Sequence, residues 1–125
     1  MKPQFTAAIL GIAMLTGCAL TPGAKHDKAL EESLGLCESD VESFLRDPES
    51  ARFDHTRIAD RDSVATNASR WVVKGTVSAK NALGGYADQQ YWECVVTRDL
   101  GSGKLRAAAE FVDLSKVLAD ARLGN

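Results

Sequence analysis

Two runs of alternating apolar residues, at positions 70–79 and 89–98, constrain this chain more than any other stretch. Trp71, Val73 and Val77 in the first run, and Trp92, Cys94 and Val96 in the second, describe two strands that each present one oily face. The connection between them, residues 80–88, is polar, contains Gly84-Gly85 and is longer than a tight hairpin needs. Loops of that kind on a rigid base often carry function.

A second pattern supplies a cover for the oily face. Leu30, Leu34, Cys37, Val41, Phe44 and Leu45 recur at three- and four-residue steps, one apolar stripe on a helix that the pattern runs from an Asp27 cap to about Arg46. Glu31 and Glu32 fall early in that helix, and Glu38, Asp40 and Glu42 fill its solvent side. Gly35 sits off the stripe, costs about 1 kcal/mol relative to Ala and marks a possible kink. Asp47 and Pro48 end the helix and open a short second turn.

Residues 52–59 read as an edge strand, and Phe53 and Ile58 fall on opposite phases, which predicts a bulge. Residues 61–69 are a polar loop, and the glycines of 99–103 mark a hairpin turn. Residues 104–112 form a further strand with Leu105, Ala107, Ala109 and Phe111 on one side. Asp113 then caps a short helix carrying Leu114, Val117, Leu118 and Ala121 and ended by Gly124. The layout predicts one α+β domain over residues 27–125: an N-terminal helix packed on a three- or four-stranded antiparallel sheet, with a short C-terminal helix.

The amino-terminal text is of another kind. Lys2 precedes an apolar run from Phe5 to Leu15 that is too short to span a bilayer comfortably, and small residues lead to Cys18. Leu15-Thr16-Gly17-Cys18 resembles the lipobox of bacterial lipoproteins. That resemblance implies that residues 1–17 are a removed signal, that Cys18 is lipidated, and that residues 18–26 are a flexible tether. Ala19 and Leu20 follow, with no Asp, which implies the outer membrane of a Gram-negative cell, facing the periplasm. A plain secretory signal with an incidental Cys is the alternative reading. The anchor makes the membrane a partner. A formal charge of −2 leaves no electrostatic footprint for nucleic acid.

Cys37 and Cys94 each lie on the apolar phase of their own element, so a helix covering the sheet would aim both sulfurs into one layer. Outside the cytoplasm the simplest outcome is a disulfide, contributing about 4 kcal/mol over so long a loop. Two buried free thiols are the alternative. No Cys-x-x-Cys spacing suggests a redox-active pair.

Lys80, Asn81, Gly84, Gly85 and Tyr86 make a candidate recognition loop. Asn81 can start the turn and the glycines can take positive φ, leaving Lys80 and Tyr86 as exposed handles, or Leu83 or Tyr86 folds back on the sheet. No Gly-Lys-Ser/Thr follows, so the loop is not a phosphate cradle of the P-loop kind.

Leu45-Arg46-Asp47-Pro48-Glu49-Ser50-Ala51-Arg52-Phe53, with Val77-Ser78-Ala79-Lys80-Asn81-Ala82-Leu83-Gly84-Gly85-Tyr86, resembles a pattern in small bacterial and phage-associated proteins of unknown function. It departs from them at Ser78, where Asn is common, and at Lys74, where Cys is frequent. The resemblance implies a shared fold unit and brings no activity with it.

His26 in the tether and His55 in the edge strand have no Cys/His cluster around them, so neither a metal nor another cofactor is expected. Ser63, Ser69 and Ser78 lack a nucleophile-elbow context, and the carboxylates read as solvated faces. The expectation is a non-catalytic binding or scaffolding module of the cell envelope with a protein partner. The alternative is a tethered inhibitor or exclusion lipoprotein acting on a lysozyme-type enzyme or phage factor.

Overall fold

The computed structural model describes residues 21–123. Cys18 and the start of the tether lie outside them.

Helix α1 spans Pro22–Glu42. It begins at Thr21, whose side-chain oxygen accepts the Ala24 N–H at 3.2 Å, with Pro22 at the first helical position. The expected tether is therefore helical over its second half, and Asp27 lies inside the helix rather than capping it. Thr-Pro reads as a linker locally, yet proline's fixed φ and missing N–H suit the first helical turn. The other end also differs from expectation. Phe44 and Leu45 donate to the carbonyls of Val41 and Glu42, three residues back, so the chain tightens and leaves the stripe. Leu45 still packs on the core, whereas Phe44 is 58% exposed. Gly35 sits within one unbroken helix.

Four antiparallel strands follow in sequence order: β1 (Arg52–Ile58), β2 (Arg70–Ser78), β3 (Gln90–Arg98) and β4 (Leu105–Val112). A 3-10 turn, Pro48–Ser50, leads into β1, and a second, Arg61–Ser63, lies before β2. The predicted bulge is present. His55 and Thr56 together stand opposite Gly75, and His55 takes φ +57°. That one extra residue pairs Phe53 with Val77 and Ile58 with Val73, so both reach the inner face despite opposite phases.

Helix α1 covers this inner face, lying closest to β4. Leu30, Cys37 and Val41 meet Ile58, Trp71, Val73, Val77, Trp92, Cys94 and Val96 in one buried cluster. Cys37 and Cys94 form a disulfide with Cα atoms 5.8 Å apart. Gly75 faces Trp92 across the ladder, and a Cβ there would stand 2.9 Å from the indole. The missing side chain is what lets the ring come this close to β2.

Three polar contacts lock the layers. Ser33, wholly buried, accepts the Trp71 indole N–H at 3.0 Å and donates to the Leu30 carbonyl at 2.6 Å. Glu38 accepts the Thr56 hydroxyl at 2.7 Å. Asp40 accepts the Ala109 N–H at 2.7 Å, closing one donor on the β4 edge. Glu38 and Asp40 thus join helix to sheet rather than filling a solvent side.

Helix α2 spans Leu114–Leu123. Asp113 caps it as expected, accepting the N–H of Ser115 at 2.9 Å. Leu118 and Ala121, expected on an apolar face, are exposed. Gly124 lies outside the described residues. Among those residues no helix is long and apolar enough to cross a membrane.

Candidate functional site

The loop between β2 and β3 is ordered from within. Lys80 and Tyr86 pair as an isolated bridge, Asn81 N–H donates to the Gly85 carbonyl at 2.8 Å, and Ala87 N–H to the Ala79 carbonyl at 3.0 Å. At the tip the Asn81 side chain accepts the Leu83 N–H at 3.0 Å, and Gly84 returns a bond to the Asn81 carbonyl. Gly84 holds φ +82°, which a side chain would strain; Gly85 takes no positive φ. Of the two glycines expected to be able to take positive φ, only Gly84 does so.

The loop is also tied to the segment before β1. Ser50 Oγ accepts the Lys80 N–H at 2.8 Å while donating to the Asp47 carbonyl. The Arg52 guanidinium stacks 3.7 Å from the centre of the Tyr86 ring, with Lys80 Nζ 5.8 Å away. The two motifs quoted above, distant in sequence, are one contiguous surface. Lys80 is exposed, and Tyr86 keeps 39% of its surface open beyond the Arg52 contact. Leu83 does not fold back; at 95% exposure it is a bare apolar tip.

Beside the loop, Phe44 meets Phe111 edge to face at 6.3 Å, and both remain well exposed. An open groove of about 540 Å³ runs between this pair and the loop, lined by Phe44, Leu45, Lys80, Leu83 and Phe111. The sequence pattern puts Phe44 and Phe111 on apolar faces, whereas the structure leaves both exposed. The signal that could have separated them is position: Phe44 lies just past the end of α1 and Phe111 one residue before the end of β4.

The groove lies at the C-terminal end of α1. Over 21 residues the helix spans about 30 Å, so the groove is that far from Thr21. The amide N–H groups of Ser102 and Gly101 hold Asp99 below the usual aspartate value, in the hairpin at the opposite end. Among the described residues no three His, Cys, Asp or Glu side chains gather as a metal site.

Fold and site together define a disulfide-stapled α+β domain with an exposed apolar group, Phe44, Leu83, Tyr86 and Phe111, beside a protruding, internally bonded loop. Compared with protein-family models, curated proteins and solved structures, the chain matches none of them.

Proposed function

We propose that this protein is an envelope lipoprotein, acylated at Cys18 on the periplasmic side of the outer membrane, that binds a protein partner without catalysis. The observation that carries the reading is the clustering of Phe44, Leu83, Tyr86 and Phe111, all exposed, at the end of α1 remote from its Thr21 cap. Exposed apolar groups rimmed by charges such as Lys80 and Arg46 are what a protein interface offers. A disulfide at the heart of the domain suits an oxidising compartment. A second reading, the tethered inhibitor, is favoured by the bare Leu83 tip on a loop that Asn81 braces: a protruding apolar point fits an enzyme cleft.

Labelled palmitate incorporation into the parent but not into a Cys18→Ser variant tests the anchor. Copurification from envelopes, with loss of the partner when Lys80 and Tyr86 become Ala, tests the site. A Cys18→Ser chain that is processed and fractionates like the parent contradicts the first. A partner retained by the loop variant contradicts the second. Inhibition of a purified lysozyme by the protein, reversed by Leu83→Ala, would select the inhibitor reading.

A further inference from the structure

Helix α1 takes the inner face of the sheet, and the outer face carries an ordered charge pattern. The strand registers set Arg57, Lys74, Glu93 and Glu110 side by side in one row across β1 to β4. Each alternates with a core-side neighbour (Ile58, Val73, Cys94, Ala109), so all four stand on the outer side. The row therefore reads two positive charges, then two negative ones. Like charges directly opposite each other on a sheet are destabilising. Among the described residues no ion pair engages any of the four.

The rows on either side have their own character. On one side stand Asp54, Thr76, Tyr91 and Val112, and on the other Val72, Val95 and Ala108 make an apolar strip. Thr76 is only 5% exposed and lies in an open depression of about 360 Å³, whose lining includes Lys74, Tyr91 and Glu93. Tyr91, next to Thr76 in its row, is 47% exposed. The face thus holds a hollow and a projecting ring on adjacent strands.

We infer that a second copy of this chain docks on the outer face, about a twofold axis that runs along the strands between β2 and β3. Such an axis lays β1 over β4 of the other copy and β2 over its β3, two sheets face to face. Arg57 then meets the partner's Glu110, and Lys74 meets the partner's Glu93, each contact made twice. Tyr91 comes down on the partner's Thr76, in the hollow, and Val72 meets the partner's Val95. A twofold across the strands at the charged row would set each charge on its own copy, so the order of signs selects the first axis. Four strands of about eight residues offer about 500 Å² per copy, about 1,000 Å² in all, which defines a weak and reversible dimer.

The test is sedimentation equilibrium of the full-length chain in density-matched detergent, from micromolar to millimolar protein. A reversible dimer that weakens as salt is raised is expected. Lys74→Glu and Glu93→Lys each place like charges across the axis, and each alone should dimerise at least about tenfold more weakly than the parent. Mixed in equal amounts, the two variants oppose acid to base at both central contacts and should form a heterodimer of parental strength. A lesion in folding would not be recovered by mixing. Lys74→Glu/Glu93→Lys in one chain should likewise dimerise as the parent does. A parent that stays monomeric overturns the proposal and leaves the face to solvent or to a different protein. So does a single reversal that dimerises like the parent, or a mixture that regains nothing. Neither Cys18 nor the β2–β3 loop enters the readout, so the fate of the proposed anchor and partner leaves this result standing on its own.

Discussion

The Arg52 guanidinium lies 3.7 Å from the centre of the Tyr86 ring. It bridges the start of β1 to the far limb of the β2–β3 loop, and Ser50 repeats the tie two residues earlier through the Lys80 N–H. The loop is thereby presented as a braced surface rather than a free strand of chain. An exposed cation–π contact of this kind contributes about 0.5–1 kcal/mol, enough to bias a loop without deciding the fold.

Arg52→Ala should therefore loosen the loop selectively. Amide exchange at Asn81 and Ala87, whose N–H groups close the loop, is expected to quicken several-fold, by roughly the 1 kcal/mol lost, while exchange at Cys94 in the core stays unchanged. Ser50→Ala should act in the same direction at Lys80, whose N–H loses its acceptor.

Gly75→Ala tests the close approach of Trp92. The added methyl would meet the indole at 2.9 Å, the Thr56 Cα at 3.1 Å and the Asp54 carbonyl at 3.2 Å, and backbone on the bulged strand cannot swing aside as a side chain can. A loss of about 1–3 kcal/mol in urea unfolding is expected, with a changed tryptophan emission in the folded state.

Replacing Cys37 and Cys94 together by Ala removes the staple between α1 and β3. The two half-cystines are fully buried and separated by 57 residues, for which chain entropy gives a loss of about 4 kcal/mol. Unfolding midpoints of the parent and the double variant, compared without reductant, measure it.

Asp99 has a folded-state pKa below the ordinary aspartate value of 3.8 because the hairpin amides stabilise its charged form. Its contribution to stability is then complete above 3.8 and is lost as pH falls from there through the lowered value. Asp99→Asn should flatten the acid side of the melting curve below that point and leave the dependence above it unaltered. A parallel loss of stability in both proteins would contradict the assignment.

Much of this architecture can be read from local pattern, because period and phase are local properties. The alternating runs place Trp71, Val73, Trp92 and Val96 in the core, and the phase conflict between Phe53 and Ile58 has only one resolution, the bulge at His55. Cys37 and Cys94 are each legible from the phase of their own element. What escapes is decided across layers. Nothing near Ser33 in sequence announces that it will take the Trp71 indole N–H, and nothing near Asp40 announces Ala109. The helix start is hidden because Thr21-Pro22-Gly23 carries linker residues that also make a good first turn. The site divides the same way. The Gly84 turn and the Asn81 brace follow from residue type, whereas the Arg52–Tyr86 stack and the Phe44–Phe111 pair exist only once α1 and the sheet have met.

The most direct test of the proposal that one end of this domain meets a protein partner while the other meets the membrane is photocrosslinking in intact cells. A photoreactive side chain would be placed singly at Leu83, at the loop tip, and at Ser102, in the opposite hairpin. The account predicts a discrete protein adduct from Leu83 that disappears when Lys80 and Tyr86 are also changed to Ala, and lipid adducts from Ser102. A protein adduct from Ser102 with none from Leu83, or a Leu83 adduct indifferent to Lys80 and Tyr86, would contradict it.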